Sequence, residues 1–167
     1  SSERYTLYAD VQYPHRVRQV LAEKIFGIPE QNIHVIAKDV GGGFGAKGWQ
    51  YVEQRLMIWA TRKVGRPVKW TCERSECVQA DEHGRDNVTE AEIALDENGI
   101  FLGLRVSTIA NLGAYISSIR NLLSIFTNVG TLVGVYKFPV AHSSVLGVMA
   151  NCNPTAPYRG AGRPEAS

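Results

Sequence analysis

The stretch Gly41-Gly42-Gly43-Phe44-Gly45-Ala46-Lys47-Gly48 decides how the chain is read. Three successive glycines, an aromatic and two further glycines leave a nearly bare backbone with one large side chain on it. Glycine accepts positive φ and lets another group approach the main chain closely, at an entropic cost to folding. The apolar-rich run Ile33-His34-Val35-Ile36-Ala37 leads in, and a helical pattern from Gln50 leads out. A strand–glycine turn–helix unit offers backbone N–H groups to whatever lies at the turn, and anions suit that place. The loop is therefore expected to hold a cofactor.

Upstream, Tyr5 to Tyr8 reads as a strand. Pro14 fits the first turn of a helix, where its missing N–H costs nothing. Val17, Val20, Leu21 and Ile25 then recur at helical spacing through Phe26, and Gly27-Ile28-Pro29 closes that helix. A strand is expected from Ile33 to Val40. The second helix, about Gln50 to Val64, places Val52, Leu56, Ile58 and Trp59 on an apolar side, and Gly65 ends it. Arg66-Pro67 precedes a short expected strand, Val68 to Cys72.

Downstream lies a polar stretch, Glu73 to Asp86. Two strands, about Asn87 to Leu95 and Ile100 to Ala110, flank Asp96-Glu97-Asn98-Gly99, whose Asn-Gly step signals a hairpin. Asn111 to Ser118 reads as a loop. Arg120 to Thr131 is apolar, and helix and irregular structure stay open there. A last strand runs from Ser143 to Met149, before the closing Pro157-Tyr158-Arg159-Gly160-Ala161-Gly162-Arg163. The fold class is α+β, helices packed on mixed sheets.

The chain has 167 residues, 44% hydrophobic and 20% charged, with a formal net charge of +2. These values describe a globular domain with interspersed charge, not the concentrated basic face of a nucleic-acid binder. No apolar run reaches membrane-spanning length, and no signal-peptide pattern opens the chain. Cys72, Cys77 and Cys152 lack CxxC spacing, so neither a disulfide framework nor a zinc site is indicated, and a reducing cytoplasm fits. The chain begins directly in a strand and stops just after a glycine-rich motif, which reads as a piece of a longer protein.

Three readings of the loop compete. One is a tight turn without ligand. The second is a dinucleotide fingerprint, since Gly43 to Gly48 satisfies GxGxxG; that reading wants an acid about 20 residues on, and Glu73 lies farther. A P-loop fails, because Lys47 is followed by Gly48 rather than Ser or Thr.

The third reading is a resemblance. Gln12, the GGGFGAKG loop and Pro157 to Glu165, in that order and separation, resemble the large, molybdopterin-binding subunit of the molybdenum hydroxylases (xanthine dehydrogenase, aldehyde oxidase and aerobic carbon monoxide dehydrogenase). The likeness runs over essentially the whole chain, including Leu7-Tyr8-Ala9 and Arg66 to Trp70. It implies part of a molybdenum-cofactor-binding domain, a molybdopterin cofactor in mono- or dinucleotide form, and iron–sulfur and FAD centres on partner subunits of a hetero-oligomer. Gln12 would hydrogen-bond an oxygen ligand of molybdenum. Gly42, Gly43, Phe44 and Gly45 would pass over the metal, and Arg159 and Gly160 would approach metal and pterin. No residue here need coordinate the metal directly, because the pterin dithiolene holds it. The implied reaction is hydroxylation at an electron-poor carbon, or oxidation of a small carbonyl.

The same resemblance narrows the substrate. Purine-oxidising members carry a glutamate just beyond the glycine loop, where this chain has Gly48. Their arginine falls near Thr127 and their stacking phenylalanine on Ala161, so xanthine is disfavoured. The cysteine of the carbon monoxide enzymes falls on Gly160, which disfavours carbon monoxide. A small aldehyde or a heteroaromatic is the better substrate. The family's general base lies in a segment this chain does not contain; Glu165 does not match it, so these residues alone are expected not to turn over.

The remaining polar residues read as structural. Asp81, Glu82, His83, Arg85 and Asp86 form a mixed-charge loop cluster, expected at a solvated surface. His15 and His34 lack a partner carboxylate at a telling spacing, and Trp49, Trp59 and Trp70 read as packing residues.

Overall fold

The computed structural model describes residues 4–127 and 129–163, and divides into two compact units, 1–81 and 82–167. The first unit begins with β1 (Tyr5–Tyr8) and helix α1 (Pro14–Val20). Pro14 stands in the first turn of α1, as its fixed φ favours. The helix continues as a wider π-type turn, Leu21–Phe26, and Gly27 ends it in the left-handed region at φ 61°. After a 3-10 turn, β2 (Ile33–Ile36) pairs in parallel with β1, from Tyr5 opposite Ile33 to Tyr8 opposite Ile36. The core of this unit is Leu7, Val11, Val17, Leu21, Ala22, Ile33 and Ile58. It lies where β1, β2 and α1 meet one residue of α2 (Val52–Val64).

Several expectations need correction. β2 ends at Ile36 rather than Val40, and α2 starts at Val52, with Gln54 Oε1 accepting from the Tyr51 N–H at 2.9 Å. Of the apolar positions assigned to α2, only Ile58 is buried; Val52, Leu56 and Trp59 are exposed, as is Trp70. Val68 to Cys72 belongs to no strand, because nothing pairs with it among the described residues. The polar stretch after it holds a helix, α3 (Arg74–Ala80).

The second unit is a three-stranded sheet in the order β3-β4-β5. β3 (Asn87–Leu95) and β4 (Phe101–Asn111) form the expected antiparallel hairpin. Its turn is fixed by Asp96, whose Oδ1 accepts from the N–H groups of Asn98 and Ile100, both at 2.8 Å. β5 (Ala141–Val148) starts two residues before the expected Ser143 and pairs in parallel with β4. The crossover between them resolves the open region: a 3-10 turn, Ile119–Leu122, then the short helix α4 (Leu123–Phe126). Val106, Thr108 and Ala110 alternate inward on β4, whereas every residue of β3 is exposed. No helix of the described residues is long and apolar enough to cross a membrane.

Leu21 has no exposed surface, so Leu21→Ala is expected to destabilise the first unit by about 3 kcal/mol through lost burial and an unfilled cavity. Denaturant unfolding of the chain measures it.

Candidate functional site

In the first unit the glycine loop folds as a turn anchored to the segment between β1 and α1. The Gln12 N–H donates to the Lys47 carbonyl at 2.8 Å, and Gln12 Oε1 accepts from the Gly45 N–H at 3.1 Å. Within the loop, the Lys47 N–H reaches the Gly43 carbonyl and the Gly48 N–H the Gly45 carbonyl. Lys47 Nζ donates to the Val40 carbonyl at 2.7 Å and pairs with Asp10, while the Tyr51 hydroxyl donates to the Ala46 carbonyl at 2.9 Å. The structure thus gathers Gln12, Gly42, Gly43, Phe44 and Gly45 into one feature.

Two glycines are required by what surrounds them. A Cβ on Gly43 would meet the Gln12 side chain, 2.7 Å from Cδ and 2.8 Å from Cγ. A Cβ on Gly42 would lie 2.5 Å from the Phe44 ring, and its φ of 96° suits glycine alone. Phe44 is itself in the left-handed region at φ 51° and half exposed, so it is not a core residue. A non-glycine residue at positive φ is uncommon and draws attention to function. Gln12 Nε2 donates to the Tyr13 hydroxyl at 3.2 Å and keeps a second hydrogen for another acceptor. Gln50, two residues past the loop, is buried with its Oε1 unpartnered. Gly48 is buried and closes the turn. The dinucleotide reading loses its acid: Glu73 precedes α3 and donates its N–H to Glu76 Oε2 at 2.8 Å, off any strand.

In the second unit Arg159, Gly160, Ala161 and Gly162 all hold positive φ, at 21°, 98°, 54° and 92°. Two of the four carry a Cβ, so the surrounding contacts must hold them there. The Arg85 guanidinium donates to the carbonyls of Tyr158, at 2.6 Å, and Arg159. The Thr127 hydroxyl lies against the carbonyls of Ala161 and, at 2.8 Å, Leu123. Beneath the loop, residues 154–156 run beside His83, whose N–H donates to the Pro154 carbonyl at 3.0 Å and whose carbonyl accepts from Ala156 at 2.7 Å. A cavity of about 280 Å³ opens beside the loop, bounded by Arg85, Thr89, Ser124, Thr155, Tyr158 and Ala161. Thr127 and Ala161 therefore come together, and Ala161 faces open space. Pro164 and Glu165 lie outside the described residues.

The support of this loop is polar and was misread in the sequence. Glu82 and Arg120 form an ion pair at 3.1 Å with side chains only 9% and 11% exposed, so Glu82 is no surface residue. Ser117 sits between Glu82 and Asn121, and Asn121 Nδ2 donates to the Thr155 carbonyl at 2.6 Å. Thr155 in turn donates to the Asn111 carbonyl at 2.5 Å. No group of three or more His, Cys, Asp and Glu side chains among the described residues is placed to hold a metal ion.

The family described as "molybdopterin cofactor-binding domain" matches residues 1–167. The chain is 35% identical, over 92% of its length, to 6-hydroxypseudooxynicotine dehydrogenase complex subunit gamma of Paenarthrobacter nicotinovorans. It is 36% identical, over 89%, to the carbon monoxide dehydrogenase large chain of Hydrogenophaga pseudoflava. These alignments cover 19% and 18% of the two relatives, so the chain spans about a fifth of their length. The quinoline 2-oxidoreductase of Pseudomonas putida 86 superposes with a TM-score of 0.86 at 33% identity, over 93% of this chain and 20% of that one.

Removing one member of a buried ion pair strands the other charge. Arg120→Ala is expected to destabilise the second unit by about 3–5 kcal/mol, and the unfolding midpoint of the variant reads this directly.

Proposed function

Since the chain belongs to the molybdopterin cofactor-binding domain family of molybdenum hydroxylases, we propose that it forms part of the cofactor site of an oxidoreductase that hydroxylates a heteroaromatic or oxidises a small aldehyde. The observation that carries this reading is the set of hydrogen-bond donors at the glycine loop, beside a half-exposed Phe44 held at positive φ. The loop's backbone is bare where Gly42 and Gly43 must lie close to Phe44 and Gln12. The Gln12 amide has one hydrogen to give, and the Gly42 and Gly43 N–H groups have no acceptor among the described residues.

Gln12, Gly42, Gly43, Phe44 and Gly45 in the first unit, and Arg159 and Gly160 in the second, are the residues that would hold the cofactor. The Gln12 amide hydrogen suits an oxygen on the metal. Backbone N–H groups and the Arg159 guanidinium suit the anionic pterin portion. When bound, the molybdenum cofactor supplies two-electron oxidation with an oxygen atom drawn from water. The chain's own part is to orient the group and keep its surroundings fixed. The general base is expected outside these residues, and the electrons are expected to leave through iron–sulfur and FAD centres on partner subunits.

Gly48, Thr127 and Ala161 are the proposed substrate-side positions. None carries a charged or stacking side chain, which favours a substrate with little need of polar anchoring. The heteroaromatic is the preferred member of the pair. Quinoline 2-oxidoreductase, by its name, acts on an N-heteroaromatic, and 33% identity links it to this chain. Exposed Trp59, Trp70, Phe126 and Val135 supply apolar surface of the kind that other parts of such an assembly cover.

Metal analysis of the full-length protein, purified with its natural subunits, tests the assignment. Near-stoichiometric molybdenum with a releasable pterin is expected; its absence, in a host that makes the cofactor, sinks the proposal. Gln12→Ala should lower turnover of a quinoline-type substrate roughly tenfold or more, as loss of a group that orients a metal ligand does. Turnover with an artificial electron acceptor measures it.

A further inference from the structure

Cys72 and Cys77 lie in the first unit with their sulfurs 3.1 Å from each other. Their proximity follows from the start of α3. Glu73 caps that helix, Glu76 Oε2 receives the Glu73 N–H, and the Cys77 N–H makes the first helical bond, to the Glu73 carbonyl at 3.0 Å. Cys72 precedes the cap and Cys77 is the fourth helical residue, the two positions whose side chains touch across a helix start. Apolar side chains ordinarily fill these places. Here both are thiols, and both are free.

The pair is also reachable. Both residues line a groove of about 1030 Å³ bounded by β1, α2, residues 65–72 and the Asp10–Lys47 pair, which none of the proposed cofactor residues lines. We propose that Cys72 and Cys77 are a redox-active dithiol, closing to a disulfide when a low-molecular-weight disulfide enters this groove. Closure needs the sulfurs to move from 3.1 Å to a bond length of about 2.05 Å.

The step balances as thiol–disulfide exchange. Cys77 sulfur attacks one sulfur of the small disulfide, forming a mixed disulfide and releasing one small thiol. Cys72 sulfur then attacks Cys77 sulfur and releases the second. Two protein S–H bonds break, one S–S bond forms, and the two protons leave on the released thiols. The protein loses two electrons and the small disulfide gains them.

The order of attack follows from the geometry. Cys72 receives the hydrogen bond from Cys77 and donates its own to the Glu73 carbonyl at 3.3 Å. Once Cys77 has lost its proton its sulfur can only accept, and the hydrogen bond Cys72 then donates to it is the main cause that pushes the Cys72 thiol up to about 12, so Cys72 keeps its proton at neutral pH. Capping of Cys77 in the mixed disulfide removes that cause and frees Cys72 for the second attack.

The test equilibrates the full-length protein, with its natural subunits, against glutathione buffers of rising oxidised fraction. Free thiols are then alkylated and the protein is cut with trypsin. Cleavage after Lys69, Arg74 and Arg85 separates the two cysteines, so a disulfide appears as peptides 70–74 and 75–85 joined, two hydrogens lighter than their sum. The joined pair is expected to grow with the oxidised fraction and to persist in Cys152→Ala. It should be absent from Cys72→Ala and Cys77→Ala, where the remaining sulfur carries one glutathione. In Cys77→Ala, alkylation of Cys72 at pH 8 should also quicken. The proposal is overturned if peptides 70–74 and 75–85 stay separate across the series, whether each carries glutathione or the alkylating group.

Discussion

Gln12 meets the glycine loop through both its backbone and its side chain, and the first unit's candidate site rests on that double attachment. The 2.8 Å bond to Lys47 fixes where the loop returns, and the 3.1 Å bond from Gly45 fixes its middle. With both made, Gly43 has no room for a methyl group, because the Gln12 side chain occupies the place. Gly42 is tied in turn to the Phe44 ring. The bare backbone is thus the space left by one amide and one aromatic ring, rather than mere flexibility.

The second unit reaches the same end by other means. Its loop carries a run of left-handed residues, two of them not glycine, held by Arg85 and Thr127. Under that loop a closed set of polar partners, Glu82, Ser117, Arg120, Asn121 and Thr155, takes the place of apolar packing. Such a network is costly when incomplete and specifies one arrangement when every member is satisfied.

Local signals in the sequence carried well into the structure, whereas those depending on distant partners did not. The β3–β4 hairpin was legible because Asp96 to Gly99 encodes its own turn. The glycine loop was legible because positive φ at Gly41, Gly42 and Gly45, and close approach at Gly42 and Gly43, call for glycines together. Val68 to Cys72 has strand composition, but a strand also needs a neighbour, and composition cannot supply one. Helix α3 was hidden in a polar stretch whose sole signal, Glu73 three residues before Glu76, uses an uncommon capping residue. Glu82 was read as solvated because its partner Arg120 lies 38 residues away. Arg85, which clamps the later loop, was missed for the same reason.

That separation in sequence also orders events in time. Arg85 reaches Tyr158 across 73 residues, while β3 and β4 close through one tight turn. Closing a long stretch of chain costs more entropy than closing a short one, and distant pairings form more slowly. The hairpin, with its local turn, is therefore expected to form before the arginine–glycine loop is clamped. In this unit the scaffold is early and the site is late.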